Sequence, residues 1–160
     1  KIAPQPIRAG IAYSGARMLG HIHRIDGFRA RLEEVPGATV VAVSKNDDDP
    51  IKAYDETLEM LAAHPEINAI FIATSGGARG VCQALVKKHC EDRITVVSFD
   101  TIPAIQEAMQ KGIIDAAIYQ HPRRQGQIAM QLAYDHLIGG SDPVQEQYLV
   151  QNEIRLTENL

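Results

Sequence analysis

A surplus of basic residues is the first thing missing. Sixteen Lys and Arg stand against twenty Asp and Glu, giving a formal net charge of −4 and a pI near 5.8. That balance argues against a dedicated nucleic-acid surface on this chain. Long apolar runs are missing too. None approaches the roughly 18 residues that a membrane span needs, so no membrane partner is expected. The start shows no signal-peptide pattern, and it is Lys1 rather than Met, which leads to the expectation of a fragment or processed product. Cysteine is scarce. Cys82 and Cys90 fall on one expected helix, about 12 Å apart at its rise of ~1.5 Å per residue, too far to bridge. Both are read as reduced thiols, a usage that leans towards the cytosol.

Signatures of chemistry are equally thin. Of the six histidines, His21 and His23 are two apart on a helix and face away from each other, which disfavours a shared metal. Asp47-Asp48-Asp49 lacks the spacing of a calcium loop. Neither cysteine has metal-ligand spacing, so no metal and no cofactor are expected. Ser75-Gly76-Gly77-Ala78-Arg79-Gly80 is not the dinucleotide fingerprint, and no phosphate-loop lysine follows it. No G-x-S-x-G surrounds Ser14, Ser75 or Ser98. No catalytic residue is therefore assigned. The corresponding expectation is that no nucleophile–base pair lies within hydrogen-bond reach at the strand ends.

What is present is a strict alternation of strands and helices. At 160 residues, with 45% hydrophobic and 22% charged, the chain suits one soluble domain with a normal core. Strands are expected over Ile7–Tyr13, Thr39–Val43, Ala69–Ala73, Ile94–Phe99 and Ile114–Tyr119. The apolar composition of Ala69–Ala73 marks that run as buried on both faces. Between them come helices with apolar faces: Ile22, Ile25, Phe28 and Leu32 in the first, and Ile51, Tyr54, Leu58 and Leu61 in the second. Asp49-Pro50 opens the second helix as a cap, and Thr101 is the expected cap of the fourth. The last long helix carries Ile128, Ala129, Leu132, Ala133, His136 and Leu137 on one side. The tail from Gln145 is expected to be extended. This pattern predicts an α/β fold with a doubly wound parallel sheet, Rossmann-like and three-layered. In such folds, ligands bind at the carboxyl ends of the strands.

Those ends offer Tyr13-Ser14, Asn46-Asp47, Thr74-Ser75-Gly76, Asp100 and Gln120-His121, with Arg24 on the first helix. A carboxylate accepts from two hydroxyls, a guanidinium fork donates to two oxygens, and amides do both, so the set suits a polyhydroxylated ligand. Tyr13, Asp47, Thr74, Ser75, Arg24, Asp100 and Gln120 are the candidate ligand contacts. Gly76, Gly77 and Gly80 are read as permitting a tight turn and a close backbone approach.

With these residues in place the chain resembles the effector-binding domain of lactose-repressor-type transcriptional regulators and their relatives, the periplasmic sugar-binding proteins. The resemblance is carried by His23-Arg24-Ile25-Asp26-Gly27-Phe28, Ala53-Tyr54, Ala69 to Gly80, Val96-Val97-Ser98-Phe99-Asp100, Ile118-Tyr119-Gln120 and the tail Glu153 to Leu160. It implies the carboxyl-terminal lobe of a type I periplasmic-binding-protein fold, with an amino-terminal lobe and any helix-turn-helix headpiece preceding Lys1. It carries ligand contacts onto Arg24, Asp100 and Gln120. Where the family has an Asn-Asp pair, Thr74-Ser75 stands here, and Asp48 lies near the place of a family aromatic. With no Trp and 5% aromatics, stacking on a sugar face falls to the other lobe. The implied function is a cytoplasmic regulator whose lobes close on a carbohydrate effector. It would contact operator DNA through the headpiece and form a homodimer, with the Gly80–Lys88 helix a candidate interface. The alternative is a periplasmic solute-binding protein of a sugar transport system. A small α/β enzyme or nucleotide-binding module is the third possibility.

Overall fold

A computed structural model describes residues 3–15 and 18–160. Five parallel strands, β1 (Arg8–Tyr13), β2 (Thr39–Lys45), β3 (Ala69–Ile72), β4 (Thr95–Phe99) and β5 (Ala116–Tyr119), alternate with helices α1 (Leu19–Glu33), α2 (Pro50–Ala63), α3 (Ala78–Lys87) and α4 (Pro103–Gln110). Helix α5 (Pro122–Leu137) and strand β6 (Glu153–Arg155) complete the element order, ahead of a short 3-10 turn over Thr157–Asn159. The strands form one sheet in the order β2-β1-β3-β4-β5-β6. All pairs are parallel except the last, where β6 runs antiparallel to β5, with Ile118 opposite Ile154. The extended tail is thus only three residues of strand. Its entry opposite to the other strands adds an antiparallel edge to the expected parallel sheet.

Strand order reverses between β1 and β3. From β1 the chain crosses to β2 on one side, then α2, α3 and α4 carry it back through β3, β4 and β5. Right-handed crossovers put α1 on one face and α2–α4 on the other. The packing agrees. Ile70, Ile72 and Val96 join Ala53, Met60, Leu61, Val81, Leu85, Ile105 and Met109 in the larger core. Ile11, Phe71 and Phe99 join Ile25 and Phe28 in the smaller one. There Phe28 stacks on Phe71 at 4.6 Å between centroids, and Phe99 meets Phe71 edge-on at 6.0 Å.

Several local expectations shift. Helix α2 turns Ala53, Thr57, Met60 and Leu61 inward, while Ile51 is 74% exposed. The cause is its crossing with α3. A Cβ on Gly80 would lie 2.0 Å from the Pro50 carbonyl and 2.9 Å from the Ala53 methyl, so only small residues fit the seam. Gly76, Gly77 and Gly80 therefore supply space rather than left-handed backbone, which among the glycines is taken by Gly15, Gly37, Gly112 and Gly140. Asp49 caps α2 as expected, accepting from the backbone N–H of Ile51 and Lys52. Helix α4 instead starts after Ile102, and Thr101 does not cap it. Cys90 lies beyond the end of α3, and it and Cys82 are both buried and free. Burial pushes the Cys82 thiol up to about 12. The inner side of α3 (Ala78, Val81, Ala84 and Leu85) is buried in the core, leaving Arg79, Gln83, Val86 and Lys87 outward. Helix α5 buries no residue, although an apolar face was expected of it.

Candidate functional site

At the carboxyl edge of the sheet the backbone is unusual. Among the described residues, five non-glycine residues adopt positive φ, and four of them, Asp47, Asp48, Asp100 and His121, follow β2, β4 or β5. Asp tolerates this left-handed region better than most residues. Such conformations cluster at sites where side-chain direction matters more than local comfort.

Arg24 organises the site. Two turns into α1, its guanidinium lies 4.0 Å over the Phe99 ring, and its two terminal nitrogens reach in different directions. Nη1 donates to the Ala73 carbonyl at the end of β3 (2.9 Å), and Nη2 donates to Gln120 Oε1 beyond β5 (2.9 Å). Gln120 Nε2 in turn donates to Asp100 Oδ1 (2.5 Å) beyond β4. One relay, Arg24–Gln120–Asp100, therefore ties the ends of three neighbouring strands to α1. Burial lowers the Arg24 pKa, while the nearby carboxylates of Asp100 and Asp48 oppose that shift. The guanidinium stays charged. Its remaining N–H groups and the second oxygen of Asp100 have no hydrogen-bond partner among the described residues, and so are available to a ligand.

The other candidates fall around this relay. Thr74 directly follows Ala73 and is 2% exposed, and its hydroxyl has no hydrogen-bond partner among the described residues. Ser75 is half-buried beside it. Tyr13 packs against the Phe28–Phe71–Phe99 cluster at the end of β1. Asp47 is not drawn in. Its carboxylate is exposed and held by Lys45 (3.0 Å) and Lys52 (2.7 Å), which depress it to about 2, chiefly through the hydrogen bond from Lys52. The acid of that corner within electrostatic reach of Arg24 is Asp48. Its direction is fixed from below by fully buried Asn46, whose Oδ1 accepts from the Asp48 N–H (3.0 Å) and whose own N–H donates to the Tyr13 carbonyl (2.8 Å). Neither Asp48 nor the Phe99 platform could be singled out from sequence. The Asx-type turn N-D-D-D was visible there, but not which of its acids it would turn inward.

One expectation fails outright. Ser14 Oγ and His21 Nδ1 are 2.8 Å apart, because α1 begins by folding its first turn back over the end of β1. This is a hydroxyl–base pair at a strand end. Nucleophilic chemistry would further require a group orienting the imidazole from its other nitrogen and donors for an oxyanion. Among the described residues no carboxylate hydrogen-bonds to His21, and no group of three or more His, Cys, Asp and Glu is placed to hold a metal. His121 contacts Glu153 (3.1 Å) and the Tyr119 ring.

An open sheet whose strand carboxyl ends converge on a half-buried arginine defines one lobe of a type I binding-protein fold. The chain belongs to the periplasmic binding protein domain family, whose model matches residues 8–141. Among curated proteins it is similar to the D-allose-binding periplasmic protein of Escherichia coli K12. The two are 30% identical over 112 residues, which make up 70% of this chain and 36% of that protein. It is likewise similar to the ribose import binding protein RbsB of the same organism, 32% identical over 111 residues, covering 69% and 36%. Among solved structures, GanP, a glucose-galactose binding protein from Geobacillus stearothermophilus, superimposes with a TM-score of 0.90 at 22% identity, covering 96% of this chain and 54% of that one. An ABC transporter solute binding protein from Agrobacterium vitis, bound with α-D-tagatopyranose, gives 0.87 at 24% identity, covering 95% and 50%. At those identities the likeness is one of fold. The chain spans about a third of the length of these curated relatives and about half of these solved chains. RbsB is named as an import binding protein, and the Agrobacterium vitis protein as an ABC transporter solute binding protein. The regulator placed first on sequence, with its operator DNA and its dimer, finds no support among them.

Proposed function

We propose that this chain is the carboxyl-terminal lobe of a two-lobed, extracytoplasmic solute-binding protein that delivers a sugar or related polyol to a transport system. The observation that carries this is the Arg24–Gln120–Asp100 relay, which presents a fixed donor fork and a carboxylate at the carboxyl ends of β3, β4 and β5. The relay's hydrogen bonds fix these groups within the chain itself, so little ordering cost is left for binding. Arg24, Asp100, Gln120, Thr74, Ser75 and Tyr13 contact the ligand on this side. Closure against a facing lobe supplies the remaining contacts and excludes water. The site binds rather than catalyses, since Ser14 and His21 have the first contact of a nucleophile pair without the groups that would complete one.

A thermal-shift screen of neutral pentoses, hexoses and cyclitols on the full-length protein carrying this lobe tests the proposal. Stabilisation by one or a few sugars, lost in Arg24→Ala, is the expected result. A protein that no sugar stabilises, or one stabilised equally in Arg24→Ala, would contradict it. Attachment of the gene to a helix-turn-helix segment instead of an export signal would return the regulator to first place.

A further inference from the structure

We infer that the ligand is not a plain sugar but a polyhydroxylated molecule bearing a protonated amine, an aminodeoxy sugar or aminocyclitol, with its ammonium on Asp48. The assignment rests on the ligand site proposed above and adds the charge of what fills it.

Three consecutive acids leave β2, and two have evident work in the fold. Asp47 is held between Lys45 and Lys52, and Asp49 caps α2. Asp48 has neither role. Its backbone takes a positive φ of 60° and its N–H is fixed by Asn46, while its carboxylate has no hydrogen bond or ion pair among the described residues. That carboxylate lies against the strand-end turn at Gly76. A Cβ there would sit 2.8 Å from Oδ1 and 2.6 Å from the Asp48 Cβ, so only glycine leaves room for it. Beside this turn is the unpartnered, buried hydroxyl of Thr74, a second polar group whose hydrogen-bonding capacity is unmet within the described chain.

Among the described residues, the charges around Arg24 do not balance. Two carboxylates, Asp48 and Asp100, act on this one guanidinium. The two nearest ammonium groups at that corner, Lys45 and Lys52, are both engaged by Asp47. In the open lobe, water screens the excess. Closure removes that water, and an uncompensated carboxylate in a dry cleft is strongly unfavourable unless a cation arrives with the ligand. A neutral polyol answers the donor needs of Asp100 but brings no charge for Asp48. An ammonium supplies both the charge and up to three donors for Asp48.

The test is calorimetric titration of the full-length protein carrying this lobe, at pH 7 and low salt. The probes are pairs of neutral pentoses, hexoses and cyclitols with their amino counterparts at each ring position. At least one amino member is expected to bind about tenfold or more tightly than its neutral partner, as a partly desolvated charge pair should. Asp48→Asn, which tolerates the same backbone, should erase most of that preference. Equal or weaker binding of every amino member overturns the inference, because the compensating charge then comes from the facing lobe. Silence across the whole panel, or a preference that survives Asp48→Asn, overturns it too. Arg24→Ala separates the two levels: if it leaves binding unchanged, the ligand site itself is misplaced.

Discussion

Helices α2 and α5 have similar lengths and each carries an apolar stripe, yet they meet opposite fates. Helix α2 buries Ala53, Thr57, Met60 and Leu61 against the sheet and α3. Helix α5 buries nothing: Tyr134 is 59% exposed and Leu137 76%, and of its apolar residues only Ile128 and Leu132 gain partial cover, beside Tyr148, Leu149 and Val150. The difference teaches that helical periodicity specifies a face, whereas the partner of that face is a tertiary fact. For α2 the partner is in this chain. For α5, in the two-lobed protein proposed here, it belongs to the facing lobe, so α5 is where that lobe should pack.

The largest expected effect breaks the α2 side. Gly80→Ala forces a methyl to within 2.0 Å of the Pro50 carbonyl and 2.7 Å of the Tyr54 nitrogen. It should cost about 3 kcal/mol or more, lowering the melting temperature by roughly 6–12 °C in a circular dichroism melt. The matched change in α5, Gly126→Ala, meets nothing within 4 Å and should stabilise by about 0.5–1 kcal/mol through helix propensity alone. Equal effects at the two glycines would dissolve the contrast.

Leu137→Ala sharpens it from the other side. In this lobe alone the change should cost less than about 0.5 kcal/mol, and in the full-length protein about 2 kcal/mol, by chemical denaturation of each. The same small cost in both would mean that α5 has no partner in the other lobe.

The smallest effect is electrostatic and lies at the corner before α2. Hydrogen bonds from Lys52 and Lys45 hold Asp47 down at about 2, below its unfolded value. Its stabilising contribution is thus fully present above the unfolded value and is lost as the pH falls through the folded one, between about pH 4 and 2. Because the group is well exposed, Asp47→Asn should lower stability only slightly at neutral pH, and the difference from wild type should vanish as the pH falls through that acid window.

Much of the fold was legible because buried parallel strands advertise themselves as short apolar runs, and because Asp49-Pro50 and Gly112 punctuate as their chemistry dictates. The second-helix stripe was misplaced because bulk drew attention to Ile51 and Tyr54, when the crossing at Gly80 selects smallness. The antiparallel entry of β6 rests on three residues, too few for any periodicity to show. Within the site, Arg24, Asp100 and Gln120 were nameable from position and resemblance, and the structure brings them into hydrogen-bond contact. The inward turn of Asp48 in place of Asp47 depends on two successive left-handed residues, and the Ser14–His21 contact depends on how α1 starts. Neither is written in residue type.

The central claim is that the Arg24–Gln120–Asp100 relay is a ligand site and not a structural clasp. The most direct measurement is calorimetric titration of wild type and Asp100→Asn, in the full-length protein, with the best-binding sugar or amino sugar, alongside a thermal melt of both without ligand. The account predicts a loss of affinity of about 30-fold or more, from replacing a charged acceptor, with melting temperatures within about 3 °C of each other. Unchanged affinity, or a large drop in melting temperature that accounts for the loss, would contradict it.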